Sequence, residues 1–323
     1  MAPGGGSKLR LDTPTRPRKA SPVRSFGATA TLALALLAAP LHAQAPPAAD
    51  LWRVTTTTLS QPPALEMGTT GIFWNPAPSP DPTGFSLGLE MARTSEVVGL
   101  SGLLAGASYS LGPRMQLGLL YGRMQVRDLV RTTTSPASAG STIPVYEQLF
   151  GANVGARFGF LQAGLLLAYQ DAQFDFLDQH GFTLDAGIRV AAHERLNFAA
   201  ATHFFPINFT RQETTDYYLG AEFVAGDSVP FVGTATRVVF RYGATYGGSG
   251  YWDHTLAGGL TMDRAVRIEF AITSEAGYIE RAVRFGLGVG LLIGRYEIGL
   301  AAGSGSNDLG ATFRVGIDAQ ILQ

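Results

Sequence analysis

The chain has 323 residues, with 24 Lys and Arg against 25 Asp and Glu, and it contains no Cys. Charged residues make up only 15%, well below the roughly 25% of an ordinary soluble domain. The lack of Cys excludes disulfides, thiolate metal ligands and cysteine nucleophiles within this sequence.

Residues 1–45 have the layout of a secretory signal peptide. Six basic residues precede the apolar run from Phe26 to Ala39, and Ala43-Gln44-Ala45 supplies the small residues of a cleavage site. The alternative, a membrane anchor, is disfavoured because the run has 14 residues, whereas a spanning helix needs about 20. Cleavage after Ala43 or Ala45 is predicted.

The predicted leader is strongly basic, so its removal changes the net charge. Six of the 24 basic residues and one of the 25 acidic ones lie before residue 46, which leaves 18 against 24 and a net charge of −6. A chain of this charge is not expected to bind nucleic acid.

Residues 46–83 form an N-terminal segment that is rich in Pro, Ala and Thr. We expect residues 46–59 to be an irregular periplasmic tail, because Pro and Thr recur there without a hydrophobic period. Four Pro between positions 65 and 83 exclude a long strand or helix.

From residue 84 to 323 the sequence alternates between apolar and polar residues. The run LGATFRVGIDAQI places Phe313, Val315 and Ile317 on one face and Arg314 and Asp318 on the other, which is the period of a β-strand. The same period predicts 14 strands over 84–93, 97–110, 113–127, 148–159, 161–175, 181–192, 195–207, 215–226, 235–246, 251–262, 264–275, 281–292, 294–303 and 309–321.

The apolar face of these strands is predicted to point outward. The opposite face is rich in Gly and Ala with sparse charge, as around Gly286, Gly288 and Gly290. A soluble sandwich or propeller would carry more charge on its exterior. The pattern therefore favours an all-β, antiparallel, up-and-down transmembrane barrel of the outer membrane, solvated by lipid.

The predicted connections alternate in length. Those after even-numbered strands are mostly tight, as at Gly112-Pro113 and His193-Glu194, with a longer link AGDSVPFVGT after the eighth. Those after odd-numbered strands are mostly long and polar, such as residues 128–147 and FLDQHG. Outer-membrane barrels have short periplasmic turns and long external loops, so both termini are expected in the periplasm.

The segment GTTGIFWNPAPSP is the most specific local motif. An Asn-Pro-Ala triplet after small and aromatic residues, placed before the first strand, resembles the N-terminal region of the FadL/PorV-like outer-membrane barrels. The resemblance implies a 14-stranded barrel with an N-terminal plug. A barrel of that size also has a lumen too wide for its own side chains to fill. We therefore expect residues 60–83 to act as a plug, with gating residues Ile72, Phe73, Trp74, Asn75, Pro76 and Ala77.

Extending the alternation places a set of charged side chains in the lumen. Two interpretations are open: a wall that guides anions, or ion pairs between wall and plug, which we favour because unpaired buried charge is costly. The set is Arg157, Arg189, Arg241, Arg267, Glu269, Arg284, Arg295, Glu297, Arg314 and Asp318.

These features predict passive transport or binding of small, hydrophobic molecules across the outer membrane. The alternative is a PorV-like component of a protein secretion system of type IX, with a secretion partner. We expect no enzyme, cofactor or metal site: there is no G-x-S-x-G, and Asp253 and His254 point to opposite faces of one strand. The expected partners are outer-membrane lipid and a small ligand.

Overall fold

The computed structural model describes residues 47–78, 84–96, 98–131, 141–209, 215–231, 234–247, 250–276, 281–305 and 310–322. The predicted signal peptide and residues 79–83 of the predicted plug lie outside these ranges. Within the described ranges, none of the helices combines the length and the hydropathy that a membrane-spanning helix needs.

The strands are β1 Phe85–Thr94, β2 Leu100–Leu111, β3 Met115–Val126, β4 Val145–Phe158, β5 Leu161–Phe174, β6 Leu177–His193, β7 Leu196–His203, β8 Pro206–Phe209, β9 Asp216–Phe231, β10 Thr234–Tyr246, β11 Trp252–Met262, β12 Val266–Ala276, β13 Arg281–Ile293, β14 Tyr296–Ser304 and β15 Ala311–Leu322. Consecutive strands pair antiparallel, except that β8 pairs with β6 and β9 pairs with β7. In addition, β1 pairs with β15. The sheet is therefore closed.

The barrel has 14 strand positions although 15 strands are described. Both β7 and β8 pair with β6, so they are two parts of one strand, interrupted at Phe204 and Phe205. Phe204 has φ +59°, a left-handed conformation that ends the regular strand. The predicted 14-stranded antiparallel barrel is confirmed, and its seventh strand is broken.

The exterior is apolar, as the strand pattern predicts. Along β13, Val283, Phe285 and Leu287 are more than half exposed, whereas Arg284 between them is buried. The same alternation appears in β3, where Leu119 is exposed and Leu120 is buried. A surface of this kind is stable when lipid, rather than water, surrounds it.

Two connections differ from the sequence prediction. The polar stretch FLDQHG is not a long loop: only residues 175–176 separate β5 from β6, which pair as far as Phe174 and Leu177. The link after the eighth predicted strand is also shorter, because β9 extends to Phe231 and β10 begins at Thr234. Register shifts near Val238 absorb the extra residues of β9.

The two rims of the barrel differ. The short-turn rim holds the turn at residues 112–114, the turn at 159–160 and the start of β1, where Phe85 pairs with Leu322. The long-loop rim holds the end of β1 at Thr94, the start of β2 at Leu100, the end of β3 at Val126 and the start of β4 at Val145. Both ends of the barrel wall thus lie at the short-turn rim.

Candidate functional site in the barrel lumen

Residues 47–78, here called the lumen segment, lie against the inner face of the barrel wall. They contain the helix α1 Pro47–Thr55 and the 3₁₀ turns Thr56–Thr58, Pro63–Leu65 and Thr70–Phe73. Most of the side chains after residue 50 are buried, among them Trp52, Phe73 and Trp74. The expectation of an irregular periplasmic tail for residues 46–59 is therefore wrong for the part of it that the structure describes.

The run of four Thr at positions 55–58 explains how this polar stretch is buried. Each hydroxyl donates to a backbone carbonyl three residues earlier, beginning with Thr55 Oγ1 to Trp52 O at 2.5 Å. Such local bonds satisfy both the hydroxyl and the carbonyl without water. The hydroxyl of Thr57 also bonds to the hydroxyl of Thr312 on the adjacent wall strand β15, at 3.0 Å.

The lumen segment runs along the barrel from one rim toward the other. In α1, Trp52 packs with Met124 near the end of β3, and Arg53 donates from Nε and Nη2 to Asp216 at 3.0 and 2.6 Å. These partners lie near the long-loop rim. Further along, Thr69 contacts Asp318 in the second half of β15, toward the short-turn rim.

Glu66 is the centre of the charged contacts between the lumen segment and the wall. Its carboxylate accepts from Arg314 Nη1 at 2.6 Å, and its backbone carbonyl accepts from Arg189. Arg314 also donates to Glu90 on β1, at 2.6 Å. Burial raises the pKa of the Glu66 carboxyl, but Arg314 and a hydrogen bond from Gln61 outweigh burial and lower that pKa below its ordinary value.

Three hydroxyls of the lumen segment bond carboxylates of the wall. Ser60 donates to Glu269 at 2.8 Å, Thr69 donates to Asp318 at 2.7 Å, and Thr70 donates to Glu90 at 2.5 Å. The backbone amide of Thr69 adds a second bond to Asp318, at 2.8 Å. Three carboxylates of the wall, on β12, β15 and β1, are thus acceptors for the lumen segment.

The predicted gating residues lie on the opposite side of the lumen. Asn75 donates to Ala64 O at 2.7 Å and accepts from the amide of Ala77 at 3.0 Å, which fixes the turn around Pro76. Asn153 on β4 donates to Pro76 O at 2.9 Å. A Cβ at Gly164 on β5 would overlap this carbonyl, so the wall must be glycine here.

An aromatic cluster surrounds Phe73. Trp52, Trp74 and His203 pack on it with ring centroids 4.8, 4.8 and 4.5 Å away. Ile72 is buried in the same core. Rings in tilted and edge contacts of this kind add to the stability that burial provides.

The sequence did not reveal the pair formed by His203 and Asp185. His203 Nδ1 lies 2.7 Å from Asp185 Oδ2, and the amide of Phe204 donates to Asp185 Oδ1 at 2.7 Å. His203 Nε2 is buried without a hydrogen-bond partner among the described residues, so no hydroxyl there forms a nucleophilic triad with it. The register of β6 with β7 pairs Ala186 with Thr202 and so places His203 beside Asp185, and the break at Phe204 directs its amide to the same carboxylate. A period of two contains no signal for such a break.

Three of the remaining predicted lumen arginines pair with carboxylates of the barrel wall. Arg241 lies between Glu222 and Glu269 at 2.8 Å from each, Arg267 pairs with Glu297 at 2.5 Å, and Arg284 pairs with Glu275 at 2.7 Å. Arg157 donates to Gln116 at 3.3 Å. Arg295 differs from the prediction, because it lies exposed in the turn before β14 rather than in a strand.

A cavity of about 660 Å³ occupies the lumen between the lumen segment and the short-turn rim. Ser60, Glu66 and Thr69 form the side made by the lumen segment, and Arg295 lies at the rim. Charged, amide and hydroxyl groups in the lining alternate with apolar side chains such as Leu65, Phe198 and Leu300. Among the described residues, no group of three His, Asp or Glu is arranged to hold a metal ion.

No family model and no curated protein matches the sequence. Among solved structures, Omp33 of Acinetobacter baumannii is similar over 75% of this chain and 100% of its own, with 10% identity and a TM-score of 0.44. A triple mutant of the Rhodopseudomonas blastica porin matches over 74% and 99%, with 10% identity and a TM-score of 0.37. The KdgM porin matches over 73% and 99%, with 10% identity and a TM-score of 0.37. The resemblance to FadL/PorV-like barrels stays a prediction.

Proposed function

We propose that this protein is an outer-membrane barrel for the passive passage of small molecules, and that the lumen segment acts as its plug. The observation that carries the proposal is a lumen that is partly open and partly blocked. A cavity of about 660 Å³ leads inward from the short-turn rim and meets Ser60, Glu66 and Thr69. The apolar exterior supports a lipid environment, and the signal-like leader supports export.

The lining of the cavity favours polar solutes over the hydrophobic ones that the sequence resemblance suggests. Glu66, Arg189, Arg267, Glu297 and Asp318 all line it. A binding site for an apolar molecule is lined mainly by apolar and aromatic side chains. Hydrophobic cargo remains a prediction that a transport assay with both solute classes would test.

Orientation follows from the rims. By analogy with outer-membrane barrels, the short-turn rim would face the periplasm and the long-loop rim the exterior. Both ends of the barrel wall would then be periplasmic, whereas α1 would lie near the outer face of the membrane. Accessibility of a single Cys introduced into the 127–144 loop, probed on intact cells, would test this orientation.

Deletion of residues 47–78 is the experiment that tests the plug. We expect the deleted protein to conduct ions in planar bilayers with a larger single-channel conductance than the complete chain, because the lumen segment no longer occupies the lumen. Heat-modifiable migration on gels would verify that the shortened barrel still folds. Equal conductance of the two folded proteins would overturn the plug.

A role in protein secretion with a PorV-like partner remains an alternative prediction from the sequence resemblance. A pulldown from native membranes would favour it if a stoichiometric secretion protein were recovered.

A further inference from the structure

Arg189 differs from the other charged groups that line the lumen cavity. It is only 9% exposed, and its Nε is buried with no hydrogen-bond partner in the part of the chain that the structure describes. Its Nη2 donates to a neutral acceptor, the backbone carbonyl of Glu66. Among the residues that the structure describes, no carboxylate oxygen lies within the 4.0 Å of an ion pair, although the charges of Glu66 and Glu222 still act on Arg189.

The other buried arginines of the lumen show what is missing at Arg189. Arg241 has two carboxylates at 2.8 Å, and Arg314 has two at 2.6 Å. A buried guanidinium without such partners is costly, so its persistence indicates a site that a ligand can complete. Arg295, exposed at the rim of the same cavity, also has no carboxylate partner in the described ranges and donates to Ile321 O at 3.2 Å.

Two amide oxygens near Arg189 also lack partners. Gln162 is the cross-strand neighbour of Arg189 on β5, and its Oε1 is buried and unbonded. Gln61 of the lumen segment donates to Glu66, which leaves its own Oε1 buried and unbonded. Both residues line the cavity beside Arg189. The cavity is therefore lined by one cationic side chain and two amide side chains whose hydrogen-bonding capacity is not fully used among the described residues.

We propose that the cavity binds a small organic anion, a carboxylate that carries hydroxyl or amino groups, with Arg189 as its anion ligand. The carboxylate would accept from the guanidinium of Arg189, and the hydroxyl or amino hydrogens would donate to the amide oxygens of Gln61 and Gln162 once these side chains turn toward the cavity. Arg295 at the rim would attract the anion by its charge. This inference rests on the proposed function, since it names the class of solute that the lumen admits.

Saturation-transfer NMR on the complete protein in detergent micelles tests the site with three probes of equal carbon number: glycerate, propionate and glycerol. Glycerate is expected to bind more tightly than propionate, which lacks the hydroxyls, and than glycerol, which lacks the charge. Arg189→Gln should weaken glycerate binding by about tenfold, as expected for the loss of one charge-assisted hydrogen bond. Gln162→Glu, which offers Arg189 a competing carboxylate, should also weaken glycerate binding.

The matched control is Arg114→Gln, because Arg114 lies exposed in the 112–114 turn at the same rim and outside the cavity lining. It should leave glycerate binding unchanged. Absence of glycerate binding, equal affinity for the three probes, or unchanged binding in both the Arg189→Gln and Gln162→Glu proteins would overturn the inference. Binding without ion conductance would instead refute passive passage and leave the anion site standing.

Discussion

The two sides of the lumen hold the lumen segment in different ways. Toward β15 and β1 the contacts are polar and charged, with Glu66 on Arg314 and Thr69 on Asp318. Toward β4, β5 and β6 the contacts are close packing, with Pro76 against a glycine wall and Phe73 within an aromatic cluster. Close packing depends on shape alone, whereas the charged side depends on protonation and salt.

The largest effect is expected on the packed side, from Gly164→Ala. The new methyl group would overlap Pro76 O, and a backbone atom cannot move aside as a flexible side chain can. We expect the docking of the lumen segment to lose about 3 kcal/mol, at the upper end of the cost of overpacking. Hydrogen-exchange protection of residues 70–78 measures the loss.

The matched control is Gly299→Ala, because no atom lies within 4 Å of a Cβ at Gly299 on β14. It should leave the protection of the lumen segment unchanged. Equal protection in the Gly164→Ala and Gly299→Ala proteins would show that the lumen segment does not press against the glycine wall.

A smaller effect is expected on the charged side, from Glu66→Gln. The substitution keeps the shape but leaves Arg314 with Glu90 alone, and the loss of a charged hydrogen bond costs about 2 kcal/mol. Hydrogen exchange at residues 60–70 reports the change. Glu297→Gln is the control, since the pair of Glu297 with Arg267 is about a third exposed and lies off the lumen segment, so its loss should cost less than about 1 kcal/mol.

Low pH should also weaken the charged contacts between the lumen segment and the wall. Because the folded pKa of Glu66 lies below the ordinary 4.5, its contribution is complete above that pH and is lost as pH falls through the lowered value. Protection of residues 60–70 should therefore fall as the pH drops below 4.5 in the wild type and change less in the Glu66→Gln protein. An identical acid response in both would contradict the role of Glu66.

The sequence predicted the barrel wall better than the arrangement of the residues inside the lumen. The strand period appears in most of the strands from β1 to β15, because lipid on one face and the lumen on the other favour alternation. It could not show the break at Phe204, where a positive φ interrupts a segment that still alternates. It also missed the burial of Thr55–Thr58, because only the bonds to nearby carbonyls make that polar run compatible with a dry lumen.

For the lumen charges, the sequence predicts the direction of the side chains but not their partners. Periodicity predicts that Arg189 and Arg314 both point inward, but it does not tell which of them has a carboxylate partner. The pairing depends on where the lumen segment places Glu66, and this long-range arrangement is absent from any local pattern.

A reversible crosslink tests most directly whether the lumen segment gates the lumen. Because the sequence contains no Cys, only the introduced Cys residues can form a disulfide. Thr57→Cys with Thr312→Cys would join the lumen segment to β15 where the two hydroxyls lie 3.0 Å apart. Thr255→Cys with Thr273→Cys, where the hydroxyls are also 3.0 Å apart, joins only the wall strands β11 and β12. If the lumen segment gates the lumen by moving, reduction should raise the conductance of the first protein and leave the second unchanged. Equal conductance of the first protein in its oxidised and reduced forms would contradict the account.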